Sequence, residues 1–135
     1  MPTAVEDKEA IRELLAEYCF HLDDDRFAEM AALFTEDGTW DTAFGKAVGR
    51  SAIAALARSL REGAGTARPR AVHLVSNIGI ALDGDHAEAR SNWIVIENSV
   101  AGPKIGSGGA YRDDLARVAG RWRFRYRKID RFIAP

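Results

Sequence analysis

The sequence predicts an α+β fold: three N-terminal helices packed on a strongly curved antiparallel sheet, together shaped as a cone. Three observations carry this. Apolar residues recur at helical spacing as far as Leu60 and alternate with period two from Arg70 onward. The helical stripes all precede the strand patterns, a grouping that belongs to α+β folds rather than to doubly wound sheets. Turn signals at Asp83-Gly84, Ala101-Gly102-Pro103 and Gly120 then cut the second half into four segments that pair as a meander. A curved sheet covered on one face by helices leaves a mouth suited to a small molecule.

Each element has its own signal. Thr3-Ala4-Val5-Glu6 reads as a capping box, and Ile11, Leu14, Leu15, Tyr18 and Leu22 follow it at helical spacing, placing helix 1 at about 4–22. Asp23-Asp24-Asp25 interrupts the stripe, and one of the three is expected to cap a second helix carrying Phe27, Met30, Ala31 and Phe34. Glu36-Asp37-Gly38 reads as a turn and Trp40 as part of a short strand. Ser51 is the expected cap and Gly63 the stop of a third helix with Ile53, Leu56, Ala57 and Leu60 on one face, followed by a loop over 63–69. Strands are expected over about 70–82, 86–98, 107–118 and 121–129. In the first, Val72, Leu74, Ile78, Ile80 and Leu82 make the obvious core face. Ala71, His73, Val75, Asn77, Gly79 and Ala81 make the other, whose small residues suit a wall curving around a cavity. In the last, Arg121, Arg123, Arg125 and Arg127 alternate with Trp122, Phe124 and Tyr126 and read as one solvated face. Gly106-Ser107-Gly108-Gly109 lacks the Lys-Ser/Thr of a phosphate loop and reads as room for a bulge.

Composition narrows the function. The 135 residues suit one domain over 1–135. With 47% hydrophobic and 29% charged residues the chain has enough apolar surface to fold. A formal net charge of -1 argues against a polyanion binder, so no nucleic acid is expected. No apolar run approaches the ~20 residues of a membrane span, and the acids of MPTAVEDKEA stand where a signal peptide needs apolar residues. The expected compartment is the cytoplasm. One cysteine excludes an internal disulfide, and with three scattered histidines no metal site is expected. Cys19 reads as a small core residue, and His21 and His86 as surface residues.

The stretches IRELLAEYCFHLDDDRFAEMAALFTEDGTWD, VGRSAI, HLVSNIGIALDGDHAEARS and GGAYRDDLARVAGRWRF cover nearly the whole chain. In them the sequence resembles the SnoaL-like branch of the nuclear transport factor 2-like superfamily. That branch includes dehydratases, dehydrochlorinases, isomerases, polyketide cyclases, epoxide hydrolases and non-catalytic subunits, so the resemblance implies the fold more than the reaction. Scytalone dehydratase and the dehydrochlorinases pair an aspartate just past helix 1 with a histidine opening the first long strand; Asp23 and His73 stand at those positions. The bile-acid dehydratases place a tyrosine five residues before the aspartate, here Tyr18. Asn92 is the nearest match to a polar or acidic residue on the next strand, and it cannot supply a proton as an acid would.

The expected catalytic set is therefore His73, Asp23 and Tyr18, with Asn92, Trp40, Phe44 and Trp93 as substrate-binding candidates. The bland roles compete: Asp23 as a helix cap, Tyr18, Trp40 and Trp93 as core aromatics. A histidine beside a carboxylate takes and gives protons near neutrality, and a tyrosine hydroxyl can donate to a developing oxyanion. That chemistry suits a cofactor-free lyase or isomerase acting on a small, largely apolar cyclic or aromatic molecule. The alternative is a binding or assembly module with the same pocket. The relatives pair sheet to sheet, and the face Val72/Leu74/Ile78/Ile80 is more than three short helices cover, so a homodimer is expected.

Overall fold

The computed structural model describes residues 1–65 and 70–135. Its elements run α1 (Ala4–Asp23), α2 (Phe27–Ala32), β1 (Phe34–Thr42), β2 (Gly45–Val48), α3 (Arg50–Gly63), β3 (Ala71–Asp83), β4 (His86–Glu97), β5 (Lys104–Val118) and β6 (Arg121–Ile133). The loop expected over 63–69 falls in part on residues 66–69, outside the described residues.

The strands form one open sheet in the order β2-β1-β6-β5-β4-β3. From β3 to β6 it is the expected antiparallel meander. Two strands extend the meander: β1 pairs with β6 in parallel, and β2, which the sequence reading lacked, hairpins onto β1. The physical reason is that β6 would otherwise present a free edge of unpaired N–H and C=O groups. The chain leaving α2 fills it, with Phe124 N donating to Leu33 O at 2.9 Å.

Bulges bend the sheet and decide which side chains face the helices. In β3 the register advances from Ser76↔Asn92 to Gly79↔Arg90, so Asn77 and Ile78 together oppose one residue. Asn77 absorbs the bulge at φ 55. The alternation therefore changes phase. Ala71, His73 and Val75 face inward before the bulge; Ile78, Ile80 and Leu82 face inward after it, packed on the core. The five-residue apolar face expected on this strand does not exist: Val72 and Leu74 are on the outside. Left-handed backbone costs a branched residue about 1–2 kcal/mol. Asn77→Val is expected to lose about that much stability in urea unfolding and Asn77→Gly to lose almost none.

A second bulge corrects the arginine face. Asp114 pairs with Tyr126 but Leu115 with Phe124, so Arg125 is the extra residue of β6. Beyond it the inward phase passes to Arg127, which is fully buried while Arg121 and Arg125 stay exposed. The turn expected at Glu36-Asp37-Gly38 is also a bulge, lying inside β1 between Phe34 and Thr39. There a side chain on Gly38 would meet Phe34 Cβ at 3.0 Å and Phe124 O at 3.1 Å.

Helix α1 begins at the Thr3/Glu6 capping box and buries Ile11, Leu14, Leu15, Tyr18 and Cys19. It lies against β3 and β6, and α3 packs on α2, β1 and β2. The expected caps of the other two helices are not made. The N-cap of α2 is Arg26 and that of α3 is Gly49, neither with a side-chain cap, and Phe34 belongs to β1 rather than to α2. The aspartates are engaged elsewhere: Asp23 with His73, Asp24 with Arg26 at 3.5 Å, and Asp25, at φ 59, with Arg61 at 3.0 Å. His21 and His86 are half-buried rather than on the surface.

Candidate functional site

Helices and inner sheet face enclose a cavity of about 540 Å³. Tyr18 of α1, Trp40 of β1, His73 of β3, Trp93 of β4 and Tyr111 of β5 line it, with Phe44 at the β1–β2 hairpin and Arg131 of β6 at its rim. The wall is mainly aromatic and aliphatic, the polar groups few and convergent, as in small-molecule sites.

His73 reaches this wall because Ala71, His73 and Val75 occupy the inward phase of β3 ahead of the Asn77 bulge. Asp23 is the last residue of α1, which lies across β3. Its carboxylate grips His73 twice. Oδ2 accepts from the His73 backbone N–H at 2.9 Å, and Oδ1 stands 2.6 Å from Nδ1. Both side chains are largely shielded, at 14% and 9% exposure. Nδ1 is engaged by the carboxylate, so Nε2 is the ring nitrogen without a protein partner in this pair. Asp23 itself does not line the cavity; it stands behind His73 rather than on an opposite wall. The imidazole also lies 6.2 Å from the Trp93 indole, centroid to centroid.

Tyr18 borders the cavity floor and is fully buried. Its hydroxyl accepts from the Trp40 indole N–H at 2.9 Å, which leaves the phenolic proton to be donated. Burial pushes the phenol above its ordinary value, and the Arg127 guanidinium pulls against that shift. The phenol therefore keeps its proton at neutral pH. Burial likewise pushes the Cys19 thiol up to about 11, so it is no nucleophile at neutral pH.

Asn92 has to be taken out of the site. Its inward neighbours on β4 are Ser91 and Trp93, and Asn92 is exposed on the outer face. There it accepts from Asn77 Nδ2 at 3.1 Å and donates to Gly109 O at 3.4 Å, clasping the β3 bulge. Trp93 is buried, donates its indole N–H to Ala110 O at 3.2 Å and stacks on Tyr111. Phe44 is 64% exposed at the mouth.

The sequence reading missed Tyr111, Arg131 and the ion pair beneath the floor. Arg127 Nε donates to Asp113 Oδ1 at 2.9 Å with both side chains fully buried. Its guanidinium lies 4.1, 3.6 and 4.4 Å from the ring centres of Tyr18, Tyr111 and Phe124. The available signal was the Asp113-Asp114 pair inside a strand, an odd place for two acids unless one faces a cation. Among the described residues no group of three or more His, Cys, Asp or Glu side chains is placed to hold a metal ion, and no helix is long and apolar enough to cross a membrane.

Comparison with known proteins agrees with this architecture. A family model described as a SnoaL-like domain matches residues 3–128. Among curated proteins none matches. Solved structures do. Rv3472 of Mycobacterium tuberculosis, a protein of unknown function, is 29% identical with a TM-score of 0.83, over 96% of this chain and 76% of that one. An NTF2-like protein with a cystatin-like fold from Novosphingobium aromaticivorans is 29% identical with a TM-score of 0.80, over 93% and 81%. A protein from Catenulispora acidiphila, solved in complex with S-DNPA, is 27% identical with a TM-score of 0.77, over 92% of each chain.

Proposed function

Since this chain belongs to the SnoaL-like domain family, we propose that it is a lyase or isomerase acting without a cofactor on a small, largely apolar cyclic or aromatic carbonyl compound. The observation that carries the reading is the double grip of Asp23 on His73, a cavity-lining residue, which leaves Nε2 as the ring nitrogen without a partner in this pair. A carboxylate spent as a helix cap could not do this. Nε2 takes a proton from the carbon next to the substrate carbonyl, and the electron pair moves onto the carbonyl oxygen. The Tyr18 hydroxyl, held by Trp40, is the donor for that oxyanion. The imidazolium, stabilised by Asp23, then returns the proton. Given to a leaving hydroxyl, it releases water; given to another carbon of the enolate, it isomerises the substrate. The Trp93 and Tyr111 rings supply the apolar walls that position the molecule. The relative solved with S-DNPA supports a cavity of this kind taking a small molecule.

A panel of β-hydroxy and β,γ-unsaturated cyclic ketones tests the proposal. Loss of water or migration of the double bond is expected with the wild type and not with His73→Ala. Binding of panel members with no turnover would favour the alternative reading of a non-catalytic binding or assembly module. That alternative draws on Asn92 lying outside the cavity, on the outer face of β4.

The proposal includes a homodimer formed through the outer sheet face. Leu74 pairs across to Ile94, Val72 to Ile96, and Ile96 to Ile105, so these side chains share the face away from the helices. Val72, Leu74, Ile105 and Ile133 are between 39% and 59% exposed in the single chain. Ile78 and Ile80, expected in this interface, are on the core side instead. Light scattering at micromolar concentration is expected to give twice the chain's mass, and Leu74→Glu to give the single mass. A wild-type particle of single mass would refute the dimer.

A further inference from the structure

Outside the cavity, where α2 passes into β1 beside the start of β6, we infer an anion site in which Arg50, Arg121 and Arg123 hold a doubly charged phosphate group of a soluble molecule. Arg50 Nε donates to Phe34 O at 2.9 Å, and Arg123 Nη1 donates to Ala32 O. The two carbonyls are two residues apart in the chain, at most about 7 Å. Both guanidiniums are thus pinned to one short stretch of backbone. Arg121 stands two residues before Arg123 on the same side of β6, about 7 Å away. Arg50 and Arg123 are half-buried and Arg121 is exposed.

This cluster has no counter-charge. Other arginines on β5 and β6 carry carboxylate partners: Arg112 is 3.6 Å from Asp130, Arg117 is 2.9 Å from Asp85 and Arg125 is 2.8 Å from Asp114. Among the described residues no carboxylate lies within ion-pair distance of Arg50, Arg121 or Arg123. A cation on the last carbonyl of α2 accounts for one guanidinium, not for three gathered without an acid. The gathering is felt within the cluster. Burial lowers the Arg123 pKa from its ordinary value, and the charges of Arg50 and Arg121 lower it further. An anion removes that repulsion. Arg50 also opens α3, whose first turn has no acid and whose cap lends no side chain, so the positive end of that helix adds to the field.

The number of donors selects the anion. Each backbone bond uses one of the five N–H donors of its guanidinium. Among the described residues no other acceptor engages these side chains, so forks from three directions remain for one group. A carboxylate has two oxygens and a single charge. A phosphate has three or more free oxygens and a second charge, and guanidinium forks match its edges. The site is separate from the parts described above. None of the three arginines lines the cavity. Arg121 and Arg123 pair across to Val118 and Ala116, at the end of β5 opposite Ile105 of the outer apolar patch, so a dimer through that patch leaves the site open.

The test is calorimetric titration of the whole chain with inorganic phosphate, pyrophosphate and acetate at one fixed ionic strength. The wild type is expected to bind both phosphates and to prefer them to acetate by at least about ten-fold, the worth of one charge-assisted hydrogen bond. Arg121→Gln removes an exposed side chain that makes no bond within the protein, so the fold is kept; phosphate affinity is expected to fall about ten-fold. Arg50→Gln with Arg121→Gln is expected to leave no measurable binding. Arg90→Gln, which removes an exposed arginine on β4, is expected to bind as the wild type does. Phosphate is also expected to raise the urea midpoint of the wild type and not that of the double variant. Equal affinity for phosphate and acetate, no binding of either phosphate, or an Arg121→Gln affinity equal to the wild type's would overturn the inference. So would an equal loss in Arg90→Gln, or binding only to phosphatidylcholine vesicles carrying phosphatidic acid, which would assign the cluster to a membrane surface.

Discussion

His73→Ala is expected to lower turnover by about 10²- to 10⁴-fold on any substrate the ketone panel identifies, the range that a positioned general base contributes. The cavity wall on either side of it, Ala71 and Val75, is only half-buried, so the fold should survive the truncation. Asp23→Asn is the more informative change. The amide oxygen can still accept the His73 backbone N–H, now at 2.9 Å from Oδ2, so the join between α1 and β3 is kept. The amide nitrogen, however, would face Nδ1, which now stands 2.6 Å from Oδ1. It donates there, the ring proton moves to Nε2, and the cavity is offered an N–H in place of a lone pair. Turnover should fall nearly as far as in His73→Ala with KM little changed. Because one residue acts through the other, the double variant should be scarcely slower than either single one. Losses that multiply, or an Asp23→Asn protein with wild-type turnover, would remove the paired base from the proposal.

Much of this site was legible in the residues, and the part that was not has a common cause. The capping box of α1, its apolar stripe and the alternation of β4 follow from local chemistry, and the structure has all three. Alternation read along a strand, though, assumes that its phase is never broken. Asn77 breaks it in β3 and Arg125 in β6. Those two residues moved Ile78 and Ile80 into the core and brought Arg127 and Arg131 to the inner face. Asn77 carried a faint signal, since asparagine is depleted in strands and tolerates the left-handed region. Arg125 carried none. The parallel seat of β1 beside β6 joins segments some ninety residues apart and has no local signature at all. Asn92 failed for a related reason: its match to the family's polar position was by strand, and the side it faces is set by register.

Asp113→Ala is expected to cost about 3–5 kcal/mol, because it leaves the Arg127 guanidinium buried without a counter-charge. The three surrounding rings, 3.6 to 4.4 Å from the guanidinium, soften that cost without replacing the carboxylate. Nη1 of Arg127 already lacks a hydrogen-bond partner, so the site has no spare acceptor. Replacing the pair together, Arg127→Met with Asp113→Leu, is expected to restore most of the loss, since apolar groups of similar volume need no partner. Arg127→Met alone gives a signature in pH. Burial pushes the Asp113 carboxyl above its ordinary range, and Arg127 is what opposes the shift. With Arg127 gone the carboxyl rises further, and the native state holds a proton that the unfolded chain has released. Stability then falls as pH rises through the interval between the unfolded and the native value. The urea midpoint of Arg127→Met should climb as pH is lowered from 7 toward 5, a climb that adding Asp113→Leu removes. A flat profile in Arg127→Met would mean that Asp113 finds another partner or water. An Asp113→Ala protein as stable as the wild type would mean that the aromatic cage alone is enough for the guanidinium.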